Sequence, residues 1–200
     1  MRLRAFVAVV VAIAIFTCFK AISIDSSDDQ IANAQSSPSS LGRVAVAETT
    51  VAAPLKSVLI KDIPHVRQKP DFCGEACAEM FLRKLGKTSI DQDAVFDVSG
   101  LDPIHGRGCY TKELAAALKK IGFQIGPVWQ RIQVAQAERQ LAAQFKALHA
   151  DLAKGIPSII CMHYDDRPNT TEHFRLIVGY DHKTDDVIYH EPAIDSGAYR

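Results

Sequence analysis

Gln68-Lys-Pro-Asp-Phe-Cys73-Gly-Glu-Ala-Cys77 is the stretch on which the reading of this chain turns. Downstream of Cys73, the apolar residues Ala76, Met80, Phe81 and Leu85 recur at helical spacing until Gly86, which predicts a helix over Cys73–Leu85 with Asp71 as its cap. Cys73 therefore opens a helix. Unpaired N–H groups and the helix macrodipole favour negative charge at that position, which is where a thiolate nucleophile is best supported. Gly74 leaves room for a substrate backbone. Gln68, five residues upstream, is in place to aim its side-chain amide at a developing oxyanion, with the Cys73 backbone N–H as the second donor.

A nucleophile of this kind needs a base, and a base needs an orienting group. His173 opens the apolar run His173-Phe-Arg-Leu-Ile-Val-Gly-Tyr180, which reads as a strand able to hold an imidazole rigidly. Glu191 ends the next strand-like run, Val187 to Glu191, just before Pro192, and is the carboxylate placed to take the other ring nitrogen. A third strand is expected over Pro157–His163. Further helices are expected over Thr111–Ile121, stopped by Gly122, and Ala135–Ala153, stopped by Gly155. Helices first and antiparallel strands later give an α+β architecture.

The same residues resemble a family. Gln68 to Cys77, the Gly108–Gly122 segment with Lys112-Glu-Leu and Leu118, Gly155-Ile-Pro before a strand, His173-Phe with Val178-Gly-Tyr-Asp, and Glu191-Pro192 are similar to the bacteriocin-processing cysteine peptidases that cleave double-glycine leaders. The resemblance runs from about Ile63 to Ala193. It implies a papain-like fold, with N-terminal helices packed on a C-terminal antiparallel sheet. It also implies a Cys-His-Asp triad and an oxyanion-hole Gln, carried here onto Cys73, His173, Glu191 and Gln68. The family usually has Asp where this chain has Glu191. Its members often precede a transporter domain that this sequence does not contain, so a stand-alone exported relative is the form implied.

The rest of the chain sets limits. Arg2 and Arg4 precede an apolar run from Ala5 to Phe19, the pattern of an export signal, with a small-residue site at Ala32-Asn-Ala34. Residues 1–34 are thus expected to be a signal peptide or an N-terminal anchor. The uninterrupted run is shorter than the ~20 residues a spanning helix needs, which favours cleavage over a membrane tether. Residues 35–54, rich in Ser, Ala and Thr, are expected to be a disordered linker, leaving 55–200 as the folded domain of a secreted or periplasmic protein. With 23 basic and 23 acidic residues and no long block of either sign, no field is built for nucleic acid. A peptide or protein substrate is the expected partner.

The four cysteines at 73, 77, 109 and 161 lack zinc-type pairing, and the chemistry requires no cofactor. Cys77, one turn after Cys73, reads as helix packing. Arg175, on the His173 face of its strand, is in place to line the cleft but reads first as a solvated strand edge, and His65, His105, His163 and His190 have no assigned role. Three functions share these residues: a cysteine peptidase passing through an acyl-enzyme, an acyl or γ-glutamyl transferase, and a catalytically silent binding module of the same fold.

Overall fold

The computed structural model describes residues 14–15, 55–195 and 198–199. The apolar run Ala5–Phe19 (apart from Ala14–Ile15), the Ala32–Ala34 site and the 35–54 linker lie outside the described residues. Among those described, no helix is long and apolar enough to cross a membrane.

The chain forms β1 (Ala14–Ile15), β2 (Val58–Leu59), α1 (Cys73–Lys84), α2 (Gln92–Ser99), α3 (Thr111–Ile121), α4 (Ala137–Ala153), β3 (Ser158–His163), β4 (Glu172–Asp181), β5 (Asp186–His190) and β6 (Ala198–Tyr199). The sheet is antiparallel, in the order β1-β3-β4-β5-β6, with β2 added to β4. This is the α+β, papain-like architecture, helices leading and sheet following. The three long strands follow one another in sequence, so their pairing needs only short connections.

Helix α1 packs on β4, and its face from Gly74 to Leu82 is buried throughout. Phe174, Leu176 and Val178 of β4 join Ala76, Met80, Leu114 and Leu118 in the main core. Ile160 and Ile177, with side chains on the opposite face, meet Leu148 and Leu152 of α4 in a second, smaller cluster. The sheet is therefore covered on both faces along β4, which explains why that strand is buried from His173 to Tyr180 rather than alternating.

Several boundaries differ from the sequence expectation, each for a local reason. Phe72, not Asp71, precedes α1 as its cap, and it makes no side-chain capping bond. Asp71 instead takes a positive φ of 63°, turning its carbonyl toward Gly108, where an added Cβ would lie 2.1 Å from that oxygen. The Ala135 start of the last long helix is a 3-10 turn, Val134–Gln136, that leads into α4. Glu191 falls just beyond β5 instead of ending it.

Helix α2 was not expected at all. It is capped by Asp91, whose side chain accepts from the Ala94 N–H, and ends at left-handed Gly100. Its first residue braces the approach to Cys73. The Gln92 side chain accepts from the Lys69 N–H at 2.7 Å and donates to the Arg67 carbonyl at 3.1 Å, while its own N–H donates to Glu79 Oε2 at 2.9 Å. Residues 67–69 thus borrow hydrogen bonds from a side chain, since they pair with no strand. Gln92→Ala removes the side-chain partner from two part-buried backbone groups and is expected to cost about 1 kcal/mol. A urea titration that finds the variant as stable as the wild type would show that water replaces the brace.

Candidate active site

Gln68, Cys73 and His173 line one cleft of about 670 Å³, together with Asp71, Arg107 to Thr111, Tyr164 and Thr171 to Phe174. Cys73 begins α1 and is partly exposed, whereas Cys77, Cys109 and Cys161 are buried; all four are free thiols. His173, near the start of β4, is only 5% exposed, so packing holds its ring in place. Two elements far apart in sequence meet here because α1 lies across β4. Gly74 permits that contact: a Cβ there would come within 2.8 Å of Leu114 and 3.2 Å of Phe174.

The imidazole is oriented from behind. His173 Nε2 donates to Glu191 Oε1 at 2.5 Å, which leaves Nδ1 as the nitrogen available for proton exchange with a substrate or thiol. Among the described residues no hydrogen bond joins Cys73 to His173. The Tyr164 ring stands edge-on to the His173 ring at 5.1 Å between centroids.

Glu191 is itself held on every side. Its Oε1 also accepts from the Ala193 N–H at 2.9 Å, and its Oε2 accepts from Arg175 Nε at 2.7 Å. The backbone around it is pinned by His65, whose Nε2 donates to the Glu191 carbonyl at 2.8 Å, and by the Gln68 N–H, which donates to the Pro192 carbonyl at 2.8 Å. Burial pushes the Glu191 carboxyl up, but hydrogen bonds from His173 and Ala193, and the charge of Arg175, outweigh it and hold the group below the usual carboxylate range. The carboxylate is therefore ionised in the neutral range.

Arg175 does not occupy the solvated strand position read from the sequence. It is 7% exposed, and besides Glu191 it donates to the carbonyls of His163 at 3.1 Å and Tyr164 at 2.8 Å. Strand alternation had already put Arg175 on the His173 face; what it could not show is that this face is covered. Gln68 Oε1 is buried with no hydrogen-bond partner among the described residues, so this amide is uncommitted at the edge of the cleft.

Glu75 was also missed. Fully buried two residues after Cys73, it accepts the Cys109 N–H on Oε1 at 2.6 Å, while Oε2 has no partner among the described residues. This bond, with the Asp71–Gly108 contact, fixes the 107–110 wall of the cleft to α1. An acidic residue in the first turn of a helix was visible in sequence, but so is any solvent-facing one.

The thiols differ less by helix position than by burial. Burial pushes the Cys73 thiol above its ordinary value and Glu75 adds to the push, while the Phe174 N–H and those of Gly74 and Cys73 itself pull the other way. Desolvation outweighs the helix terminus, contrary to the sequence argument. Burial pushes Cys109 and Cys161 up to about 12 and Cys77 well above its ordinary value. Among the described residues no group of His, Cys, Asp or Glu could hold a metal ion.

The model of the Peptidase_C39 like family matches residues 60–200 of the chain. No curated protein and no solved structure matches it.

Burial holds the Glu75 carboxyl above its usual range, against the opposing Cys109 N–H. A carboxyl raised on folding lends stability that is complete below its unfolded value and is lost as pH rises through the folded one. Glu75→Gln keeps an acceptor for Cys109 and abolishes that loss. The urea midpoint of the wild type, taken relative to that of the variant, should fall along this limb as pH rises, and the pH midpoint for Cys73 alkylation should move down. Superimposable curves would assign the carboxyl no electrostatic role.

Proposed function

This chain belongs to the Peptidase_C39 like family, and on that premise we propose that it is a cysteine peptidase acting on peptide or protein substrates through Cys73, His173, Glu191 and Gln68. The observation that carries the reading is the hydrogen bond from His173 Nε2 to a buried, ionised Glu191, in the cleft that Cys73 lines. A histidine tied at Nε2 presents Nδ1 as a base, and a structural histidine would not need an ionised carboxylate taken out of water to orient it.

In this mechanism Cys73 Sγ attacks the carbonyl carbon of the scissile bond as its proton passes to His173 Nδ1. The resting thiol is pushed up by burial, so deprotonation by the base is part of the attack rather than settled beforehand. The carbonyl oxygen becomes an oxyanion, met by the Cys73 backbone N–H at the helix start and by the Gln68 amide. Collapse breaks the carbon–nitrogen bond, and the departing amine takes the proton from Nδ1, leaving a thioester on Cys73. Water then attacks the thioester, giving its proton to Nδ1. The second collapse expels the thiolate, which takes the proton back from Nδ1, and releases the carboxylic acid, which ionises to the solvent. Glu191 stays ionised throughout, stabilising the imidazolium each time it forms.

Delivery of the domain outside the cytoplasm is part of the same proposal and rests on the N-terminal signal pattern alone. A transferase would share every step up to the thioester and differ only in the acceptor. The choice of hydrolysis follows from the family.

Incubating the full chain with a mixture of peptides and reading new termini by mass spectrometry tests the activity directly. Cleavage is expected from the wild type, and Cys73→Ala or His173→Ala should reduce it by at least about 10³-fold. Iodoacetamide should modify Cys73 well before Cys77, Cys109 or Cys161, and His173→Ala should slow that reaction. Peptide cleavage that survives Cys73→Ala would end the proposal.

A further inference from the structure

The geometry points to Arg175 as a positioning residue, whose guanidinium holds the Glu191 carboxylate in place for His173 and ties it to the end of β3. The inference rests on the reading of His173 as the base for Cys73 and extends it to a residue that never touches substrate.

Three features carry it. First, every donor of the guanidinium that is engaged points at something the site needs: Nε at Glu191 Oε2, one terminal nitrogen at the His163 carbonyl and the other at the Tyr164 carbonyl. This planar fork matches its acceptors as an ammonium cannot. Second, the group is stacked as well as bonded. Its carbon lies 5.4 Å from the Tyr189 ring centroid and 5.9 Å from that of Tyr164, the ring that stands edge-on to His173. Third, the two carboxylate oxygens are divided between partners, Oε1 to His173 and Oε2 to Arg175. An aspartate at 191 would withdraw its carboxylate by one methylene, about 1.5 Å, and could not keep both bonds from the same backbone. The glutamate in this chain is accounted for by the arginine two residues after the histidine.

Through Arg175 the position of Glu191 is also coupled to residues 163–164, where the chain leaves β3 to form the Tyr164 wall of the cleft. A residue that only filled space would stabilise the fold without acting through Glu191. A positioning residue acts through nothing else.

The test is a double-mutant cycle on the full chain, read by the rate of Cys73 alkylation with iodoacetamide and located by mass spectrometry. Arg175→Met and Glu191→Gln should each slow the reaction on the order of 10- to 100-fold. The double variant should be no slower than either single one, because both remove one function. Arg175→Lys, keeping the charge without the fork, should recover only part of the rate. Arg175→Met leaves a buried carboxylate unpaired and is at risk of not folding. The double variant, which buries no unpaired charge, and Arg175→Lys then decide the matter. An Arg175→Lys variant or a folded Arg175→Met variant at the wild-type rate, or losses that multiply in the double variant, would overturn the proposal while His173→Ala still slows alkylation. If His173→Ala leaves the rate unchanged, the base reading fails and takes this inference with it.

Discussion

An ionised carboxylate in a protein interior has to be met by donors on every side, because the residual cost of taking one from water is several kcal/mol. Glu191 imposes that requirement on this fold. It is 7% exposed, and its donors come from His173 and Arg175 on β4 and from the turn that holds Ala193. Meeting it fixes the register of the C-terminal sheet. β4 pairs Leu176 with His190, so the next residue of the chain, Glu191, falls beside Arg175 and within reach of His173. A slip of one residue on the β5 side would turn Glu191 to the face away from His173 and Arg175 and leave the carboxylate unpaired. Packing alone would resist such a slip, but the buried charge makes it far more costly.

The second constraint is the approach of α1 to this sheet. Gly74 allows it and Gly108 allows the 107–110 wall to close on the start of α1, and in both cases the obstacle to a side chain is close packing rather than backbone conformation. At Gly74 the neighbours are Leu114 and Phe174, and at Gly108 the neighbour is the carbonyl of Asp71. Bringing the helix this close puts the Cys73 sulfur beside the Phe174 backbone N–H, one residue from the histidine, but also takes the thiol partly out of water. Desolvation then outweighs the helix terminus. In the proposed mechanism the reactivity of the sulfur therefore depends on a correctly held base, which links Cys73 to the Glu191 network although neither His173 nor Cys73 bonds the other directly among the described residues.

The elements that sequence patterns marked out were those whose signals are local. The apolar periodicity after Cys73, the glycines at 86, 122 and 155, and the apolar runs of the three long strands are properties of neighbouring residues, and the structure places these elements within a residue or two of expectation. Helix α2 escaped because it has eight residues, too few to display an apolar stripe, and only Val95 and Phe96 supply buried hydrophobes. Its Asp91 cap and Gly100 stop were present and short of decisive. That omission mattered for the site, since Gln92 braces the segment carrying Gln68.

Chain order and residue type by themselves determined an α+β fold, a cysteine at the head of a helix, a histidine at the head of a strand and a carboxylate at the end of the next; the papain kind of that fold came from the family resemblance. Tertiary structure alone decided what surrounds each of them. Strand alternation assigned Arg175 to the face of His173 but could not say whether that face meets water, and the sign of its role depends on that. The helix dipole argued for a stabilised thiolate at Cys73, a local effect, whereas desolvation is set by residues up to a hundred positions away. Burial is a sum over the whole chain, so no stretch of sequence records it.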